Sequence, residues 1–215
     1  MKTNELWELF GDNILANGIK DKYEYPWELI FNLNEEIYKI GATLGSDFTE
    51  ENEGVWVHRE AKIDRSARIF APAIISKGAE LRTGAFVRGG VILLDGALLG
   101  NSTEAKNSIL FENAKLPHFN YVGDSILAEG VHLGAGAIIS NVRGDKRRVR
   151  ISLENEIIDT GLRKLGALIG KGVEIGSNSV INPGTVIDEG ARIYPLSSVR
   201  GYVPKNAVYK GREIK

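Results

Sequence analysis

The sequence contains no cysteine, so neither a disulfide bond nor a thiolate nucleophile is available to this protein. It has no apolar run near the ~20 residues that a membrane-spanning helix needs, and its start lacks the basic and apolar regions of a signal peptide. The formal net charge is -1, and the basic residues are dispersed apart from one short run, so there is no general attraction for nucleic acid. We therefore expect a cytoplasmic protein that binds neither nucleic acid nor membranes.

An aliphatic residue recurs at every sixth position along two parts of the chain. The first series is Val57, Ile63, Ile69, Ile75, Leu81, Val87, Leu93 and Leu99, and the second is Ile169, Ile175, Ile181, Ile187, Ile193 and Val199. A fixed period of this kind is the signature of a repeat architecture. A period of six suits a triangular coil, in which each face supplies one inward aliphatic side chain and each corner accepts a small one. We predict an all-β protein, a parallel β-helix.

Residues 1–52 lack the sixfold period and instead show helical spacing of apolar residues. Pro26 suits a first helical turn and Gly41 suits a helix end. Terminal repeats of a solenoid expose an apolar face and unpaired strand edges. We therefore expect a small N-terminal helical cap that packs across one end of the coils.

Residues 53–205 form the predicted β-helix of about eight coils, and residues 206–215 form a C-terminal tail. The aliphatic period breaks twice, and we expect loops near residues 102–121 and 141–161. After the first break the period resumes at Leu127, four residues out of register, which predicts extra residues bulging from a corner. Loops on a regular scaffold often carry function, because the coil itself is committed to packing.

The segment from Lys115 to Asp124 contains a His-x-x-Tyr-x-Gly-Asp motif, and the turn Gly134-Ala135-Gly136 follows it. With these motifs, the stretch from Phe86 to Asn141 resembles the acetyltransferase half of the bifunctional UDP-N-acetylglucosamine pyrophosphorylase/glucosamine-1-phosphate N-acetyltransferases. Proteins of that hexapeptide-repeat family are left-handed β-helices and usually trimers. The resemblance therefore implies a left-handed winding, a homotrimer and acyl transfer from acetyl-CoA to an amino-sugar phosphate.

The resemblance also implies roles for particular residues. His118 takes the place of the general base, and Asn141 that of the asparagine that positions the reacting groups. The other implied site residues are Arg88 and Lys106 for the substrate phosphate, Tyr121 and His132 for the sugar, Ala135 for acetyl-CoA through its backbone, and Arg212 for coenzyme A. His132 replaces an asparagine of the family, which changes the sugar pocket.

The residue types suit this chemistry. An imidazole with a pKa near 6.5 can take a proton from a sugar ammonium at neutral pH. Backbone N–H groups of Gly134-Ala135-Gly136 could stabilise the oxyanion formed from a thioester, although a place at coil corners is the more common reason for two such glycines. The basic run Lys146, Arg147, Arg148 and Arg150 is either a solvated loop or a contact for the phosphates of a substrate or of coenzyme A, and Lys146 is our substrate-binding candidate there.

Two other functions are alternatives to acyl transfer. A zinc site shared by His58, His118 and His132 is disfavoured, because His58 and His118 lie more than three coils apart, about 15 Å along the coil axis; we predict no metal. The second rival is a non-catalytic module that binds a sugar phosphate or sugar nucleotide and oligomerises. The first fifty residues hold no Gly-rich UTP-binding signature, so we expect no uridyl transfer by this chain alone.

Overall fold

The computed structural model describes residues 3–10, 19, 21–211 and 213–214. Within these ranges, no helix combines the length and the apolar character needed to cross a membrane.

Helix α1 spans Thr3–Glu8 and helix α2 spans Pro26–Gly41. Pro26 stands in the first turn of α2, as predicted, because its missing N–H would have no partner within the helix there. The Tyr25 N–H donates a hydrogen bond of 3.0 Å to the Glu28 carboxylate, which closes that turn.

The rest of the chain consists of short strands. In chain order they are β1 Phe48–Asn52, β2 Val55–His58, β3 Lys62–Ile63, β4 Arg68–Phe70, β5 Ala73–Ile75, β6 Glu80–Leu81, β7 Phe86–Arg88, β8 Val91–Leu93, β9 Leu98–Asn101, β10 Glu104–Lys106, β11 Ser108–Leu110, β12 Lys115–His118, β13 Tyr121–Gly123 and β14 Ile126–Leu127. They continue as β15 His132–Leu133, β16 Ile138–Ile139, β17 Arg150–Ser152, β18 Ile157–Asp159, β19 Ala167–Ile169, β20 Glu174–Ile175, β21 Val180–Ile181, β22 Thr185–Ile187, β23 Arg192–Ile193, β24 Ser198–Val199, β25 Tyr202–Val203, β26 Val208–Lys210 and β27 Glu213–Ile214.

These strands wind into a coil with three flat faces. Face A has the order β1-β2-β5-β8-β11-β14-β19-β22-β25, face B has β27-β26-β23-β20-β15-β12-β9-β6-β3, and face C has β24-β21-β16-β13-β10-β7-β4. All neighbours pair in parallel except β1 with β2 and β26 with β27. The predicted all-β parallel β-helix is confirmed. Because β26 and β27 extend face B, Val208–Lys210 and Glu213–Ile214 are part of the sheet and not a separate tail.

The first break in the sixfold period is a shortening of the coil. Strand partners along face A are usually 18 residues apart, as for Ile75 and Leu93. Leu93 pairs with Leu110, and Leu110 pairs with Leu127, so each of these two coils has 17 residues. The expected loop near 102–121, with residues bulging from a corner, is wrong: the segment forms β10 to β13, and the register moves because each coil lacks one residue.

The second break holds an insertion, since Ile126 of β14 pairs with Leu168 of β19 instead of with a residue 18 positions on. The inserted segment forms an antiparallel hairpin of β17 and β18. Its residues Val149 and Ile151 are fully buried, so the hairpin packs against the coil and does not project freely into solvent.

Two apolar cores hold the molecule together. The inner core fills the coil with the predicted aliphatic residues from Ile75 onwards and with small residues at the corners, whereas Ile63 in the first coil is 37% exposed. The second core lies on the outer side of face A, where each strand presents a further apolar side chain, as at Ile74, Ile92 and Ile109. Face A is therefore buried on both sides, and its strands are continuously apolar, as in β8 and β19.

The helical segment covers this outer side of face A. Leu33 and Ile37 of α2 are fully buried in the second core, and the Leu9 carbonyl beyond α1 accepts a hydrogen bond from the Lys171 N–H far along the coil. Our expectation that the cap packs across one end of the coils is wrong. The reason is that the outward apolar residues of face A need a cover along the whole side of the coil.

Candidate functional site

A cavity of about 520 Å³ opens where face C turns into face A. Helix α2, the corners of successive coils and the segment after the β17–β18 hairpin form its walls. The residues that line it are Ile30, Phe31, Asn34, Ala71, Pro72, Arg88, Gly89, Lys106, Asn107, Asp124, Leu162, Arg163 and Lys164. A volume of this size is typical of small-molecule sites.

The shortened coils shape this cavity. The corner between β7 and β8 is turned by Gly89 and Gly90, with φ of 87° and 66°, whereas Asn107 turns the next corner alone with φ of 47°. Asp124 turns the corner after that with φ of 50°. Gly89, Asn107 and Asp124 from these three corners line the cavity, together with residues of α2.

The carboxylate of Asp124 is held by two amides. Asn107 Nδ2 donates to Asp124 Oδ1 at 2.8 Å, and Asn141 Nδ2 donates to Asp124 Oδ2. Asn107 Nδ2 also lies 3.1 Å from the Ile30 carbonyl oxygen, which ties the corner to helix α2. Both oxygens of Asp124 thus have donors from the protein, and this residue is 5% exposed.

The cavity is strongly cationic although the chain has almost no net charge. Arg88 Nη1 pairs with Glu104 Oε1 at 2.7 Å, and this contact raises the pKa of the Arg88 guanidinium. Among the described residues, no carboxylate pairs with Lys106, Arg163 or Lys164. Glu104 balances Arg88 and Asp124 also lines the cavity, which leaves a net positive charge suited to a phosphorylated ligand.

Tyr121 lies on face C beside the cavity. A Cβ on Gly123 would lie 2.7 Å from both the Tyr121 hydroxyl and Asn141 Nδ2, so a glycine is needed for these groups to approach the strand. Burial raises the pKa of the Tyr121 hydroxyl, and the carboxylates of Asp124 and Glu104 raise it further. Tyr121 and Asn141 therefore adjoin the cavity through Asp124 without being part of its lining.

His118 is the last residue of β12 on face B, before the corner that leads into face C, and its side chain is exposed. It lies six residues before Asp124 on the same coil. It does not line the cavity that contains Arg88 and Lys106. Its backbone is well fixed: the His118 N–H donates to Asn120 Oδ1 at 3.1 Å, and buried Asn120 donates in turn to the Gly134 carbonyl at 2.8 Å. The next coil thus holds the turn that carries the imidazole.

The Gly134-Ala135-Gly136 corner adjoins this turn. The Gly136 N–H donates to the His118 carbonyl at 3.0 Å, and the Gly134 N–H donates to the Ile175 carbonyl at 2.7 Å. Both glycine N–H groups are therefore used in the coil. The Ala135 N–H has no acceptor among the described residues, which leaves it as the donor of this corner that faces no protein partner.

The remaining predicted site residues lie elsewhere. His132 is on face B, where its Nδ1 lies 2.9 Å from Glu174 Oε2, and Lys146 is in an exposed turn with φ of 57°. Arg212 lies outside the described residues. His58 is buried on β2, and no group of metal-binding side chains occurs in the part of the chain that the structure describes.

The basic run forms a second, smaller cavity of about 270 Å³. It is lined by Arg143, Arg147, Arg148, Arg150 and Asp159, and not by Lys146. Arg143 pairs with Asp145 at 2.6 Å, so part of its charge is already balanced within the loop.

Several lining residues escaped the sequence analysis. Phe31 and Asn34 belong to the helical segment, whose position beside the coil corners could not be read from spacing. Arg163 and Lys164 follow the hairpin and carry no motif. Asp124 stood inside the quoted motif without a role, and its place after a glycine at a coil corner was the available signal.

No protein-family model matches this sequence. The bifunctional sugar-1-phosphate nucleotidylyltransferase/acetyltransferase of Sulfurisphaera tokodaii is 44% identical over 112 residues, which cover 52% of this chain and 28% of that protein. The bifunctional protein GlmU of Methanococcus aeolicus is 36% identical over 117 residues, covering 54% and 28%. The resemblance predicted from the sequence is confirmed. The chain spans little more than a quarter of the length of these bifunctional relatives.

Among solved structures, the polySia-specific acetyltransferase NeuO aligns with a TM-score of 0.48 at 14% identity, covering 75% of this chain and 82% of that one. A putative acetyltransferase from Bacillus cereus aligns with a TM-score of 0.43 at 18% identity, covering 74% of each chain.

Proposed function

We propose that this protein transfers an acyl group from acetyl-CoA to the amine of an amino-sugar phosphate similar to glucosamine-1-phosphate. The observation that carries the proposal is the position of two features at the two ends of face C: a cationic cavity at the corner with face A, and the exposed imidazole of His118 at the corner with face B. The bifunctional relative from Sulfurisphaera tokodaii is named as an acetyltransferase, which supports the reaction class. As in the family that the sequence resembles, the chain would work as a homotrimer.

The acceptor would place its phosphate against Arg88 and Lys106. The guanidinium gives a bidentate contact and the ammonium a point charge. From there the sugar would extend along β13, over Tyr121, towards His118. The run from Asp124 back to His118 spans six residues, at most ~20 Å, and the side chains at both ends shorten the gap that the ligand must bridge.

His118 would act as the general base. It takes a proton from the sugar ammonium, and the freed nitrogen lone pair attacks the thioester carbonyl carbon. The new C–N bond gives a tetrahedral oxyanion, and its collapse breaks the C–S bond. The nitrogen loses its second proton as the amide forms, and the departing coenzyme A thiolate takes up that proton. The unpartnered Ala135 N–H, beside the His118 turn, suits the developing oxyanion.

The test is coenzyme A release from acetyl-CoA with glucosamine-1-phosphate as acceptor. His118→Ala should lower the rate by about 100-fold or more, because general-base catalysis contributes that much. Lys115→Ala removes another exposed side chain from the same strand and should leave the rate near that of the parent. Glucosamine without the phosphate should be a much poorer acceptor.

The non-catalytic binding module remains the second candidate, favoured by the absence of His118 from the cavity lining. It predicts that the parent protein binds glucosamine-1-phosphate but not acetyl-CoA in calorimetric titrations, and that it releases no coenzyme A from acetyl-CoA. Equal rates for the parent and His118→Ala would instead remove His118 from the mechanism while leaving acyl transfer in place.

A further inference from the structure

The cavity has two cations beyond the two assigned to the sugar phosphate, which are Lys106 and Arg88, the latter paired with Glu104. Arg88 and Lys106 would suffice for one phosphate, which carries at most about two negative charges. Arg163 and Lys164 line the same cavity, and no described carboxylate pairs with either of them. A ligand that uses all four cations would carry a second phosphate.

The two residues that follow Arg163 and Lys164 bind the coil through backbone hydrogen bonds. The Leu165 N–H donates to the Asn141 carbonyl at 3.0 Å, and the Leu165 side chain is fully buried. The Gly166 N–H donates to the Asp124 carbonyl at 2.8 Å. Arg163 and Lys164 are therefore held beside the corner formed by Asp124 and next to Asn141, which bonds the Asp124 carboxylate.

An aromatic ring stands at the rim of this cavity. Phe31 on α2 lines it and is 71% exposed, although its helix is firmly packed through Ile30 and Leu33 on the neighbouring side. The helix is held against the cavity corner by the bond from Asn107 to the Ile30 carbonyl. An exposed ring fixed beside a cationic recess provides a surface on which a planar base can stack.

We propose that this cavity binds a nucleoside diphosphate, with the diphosphate among the four cations and the base against Phe31. This inference rests on the proposed function and deepens it: the acceptor would be an amino sugar linked to a nucleoside diphosphate. Coenzyme A also contains a nucleoside diphosphate. The acceptor is favoured because Arg88 and Lys106 of this cavity are the cations assigned to the acceptor phosphate.

The first experiment is a calorimetric titration of the parent protein with UDP, UMP, pyrophosphate and glucosamine-1-phosphate. UDP should bind at least tenfold more tightly than UMP, which lacks the second phosphate, and than pyrophosphate, which lacks the base. Equal affinities for all four probes would overturn the nucleoside diphosphate assignment. Coenzyme A should not displace UDP, and competitive displacement would assign the cavity to the acyl donor and overturn the acceptor assignment.

Variants then separate the two halves of the subsite. Phe31→Ala should weaken UDP about tenfold and leave pyrophosphate unchanged. The double variant R163Q/K164Q should weaken both UDP and pyrophosphate at least tenfold. The matched controls are I157A for loss of an exposed apolar side chain and R65Q/R200Q for loss of two exposed charges, and both should bind UDP like the parent.

The outcome is separable from that of the proposed function. His118-dependent acylation of glucosamine-1-phosphate without inhibition by UDP would overturn this inference and leave acyl transfer standing. UDP binding that depends on Phe31, with no release of coenzyme A from acetyl-CoA in the presence of any amino-sugar acceptor, would overturn acyl transfer and leave nucleoside diphosphate binding standing.

Discussion

At the residue scale, Asn107 combines three tasks at one coil corner. It turns its corner as a single residue with a left-handed backbone conformation, whereas the corresponding corner of the preceding coil needs two residues, Gly89 and Gly90. Asparagine is among the few residues with a side chain that tolerate this region. Its amide also bonds the Ile30 carbonyl of α2 and the carboxylate of Asp124. The shape of the cavity and the position of its helical wall therefore depend on this one side chain.

Substitution of Asn107 can separate the backbone task from the amide contacts. Asn107→Gly keeps the left-handed corner but loses both hydrogen bonds, which should cost about 1–3 kcal/mol of unfolding free energy. Asn107→Ala should cost about 1–2 kcal/mol more, because the new Cβ is strained at positive φ. Urea denaturation measures both. An alanine variant as stable as the glycine variant would show that the corner backbone is not a constraint.

At the scale of elements, helix α2 and face A approach so closely that the last residue of the helix has to be a glycine. A Cβ on Gly41 would lie 2.4 Å from the Trp56 ring on β2. Tyr38, one turn earlier, meets the same ring edge-on, with ring centroids 5.8 Å apart. This contact fixes the end of the helix whose other residues, Phe31 and Asn34, line the cavity.

Gly41→Ala should therefore push the helix away from β2 and lower the unfolding free energy by about 1–3 kcal/mol, the usual cost of overpacking. Gly45→Ala is the matched control, because a Cβ there has no atom within 4 Å, and it should change stability by less than about 0.5 kcal/mol. The comparison is made by thermal denaturation followed by circular dichroism. Equal effects at the two glycines would contradict the close approach.

At the scale of the whole molecule, each coil is stabilised by its two neighbours, as in other solenoids. The hairpin insertion interrupts the chain but not the stack, because β14 pairs directly with β19 on either side of it. Ile169 on β19 is fully buried between Leu127 and Ile187 in the inner core. The coils before and after the insertion thus share one continuous core.

Ile169→Ala should lower the unfolding free energy by about 2–5 kcal/mol, since it leaves a cavity where the two halves of the coil meet. Ile157→Ala removes the same atoms from an exposed site on the hairpin and should cost less than about 1 kcal/mol. Chemical denaturation monitored by circular dichroism compares them. A small loss at Ile169 would mean that the two halves of the coil are not coupled there.

The sequence by itself determined the coil, because a six-residue period of aliphatic side chains has few other ways to bury them. It also located α2 through Pro26 and Gly41, and it marked Arg88 and Lys106, which the structure places in one cavity. These features depend on local spacing or on motifs, both of which are visible in one dimension.

Only the tertiary structure decided where the helical segment lies and what it contributes. Spacing shows that Leu33 and Ile37 need a partner, but not that the partner is the outer side of face A. Nor does a shift of register distinguish residues added to one corner from single residues lost at Asn107 and Asp124. The cavity arises from both facts, because its walls come from segments far apart in sequence whose contacts are set by packing.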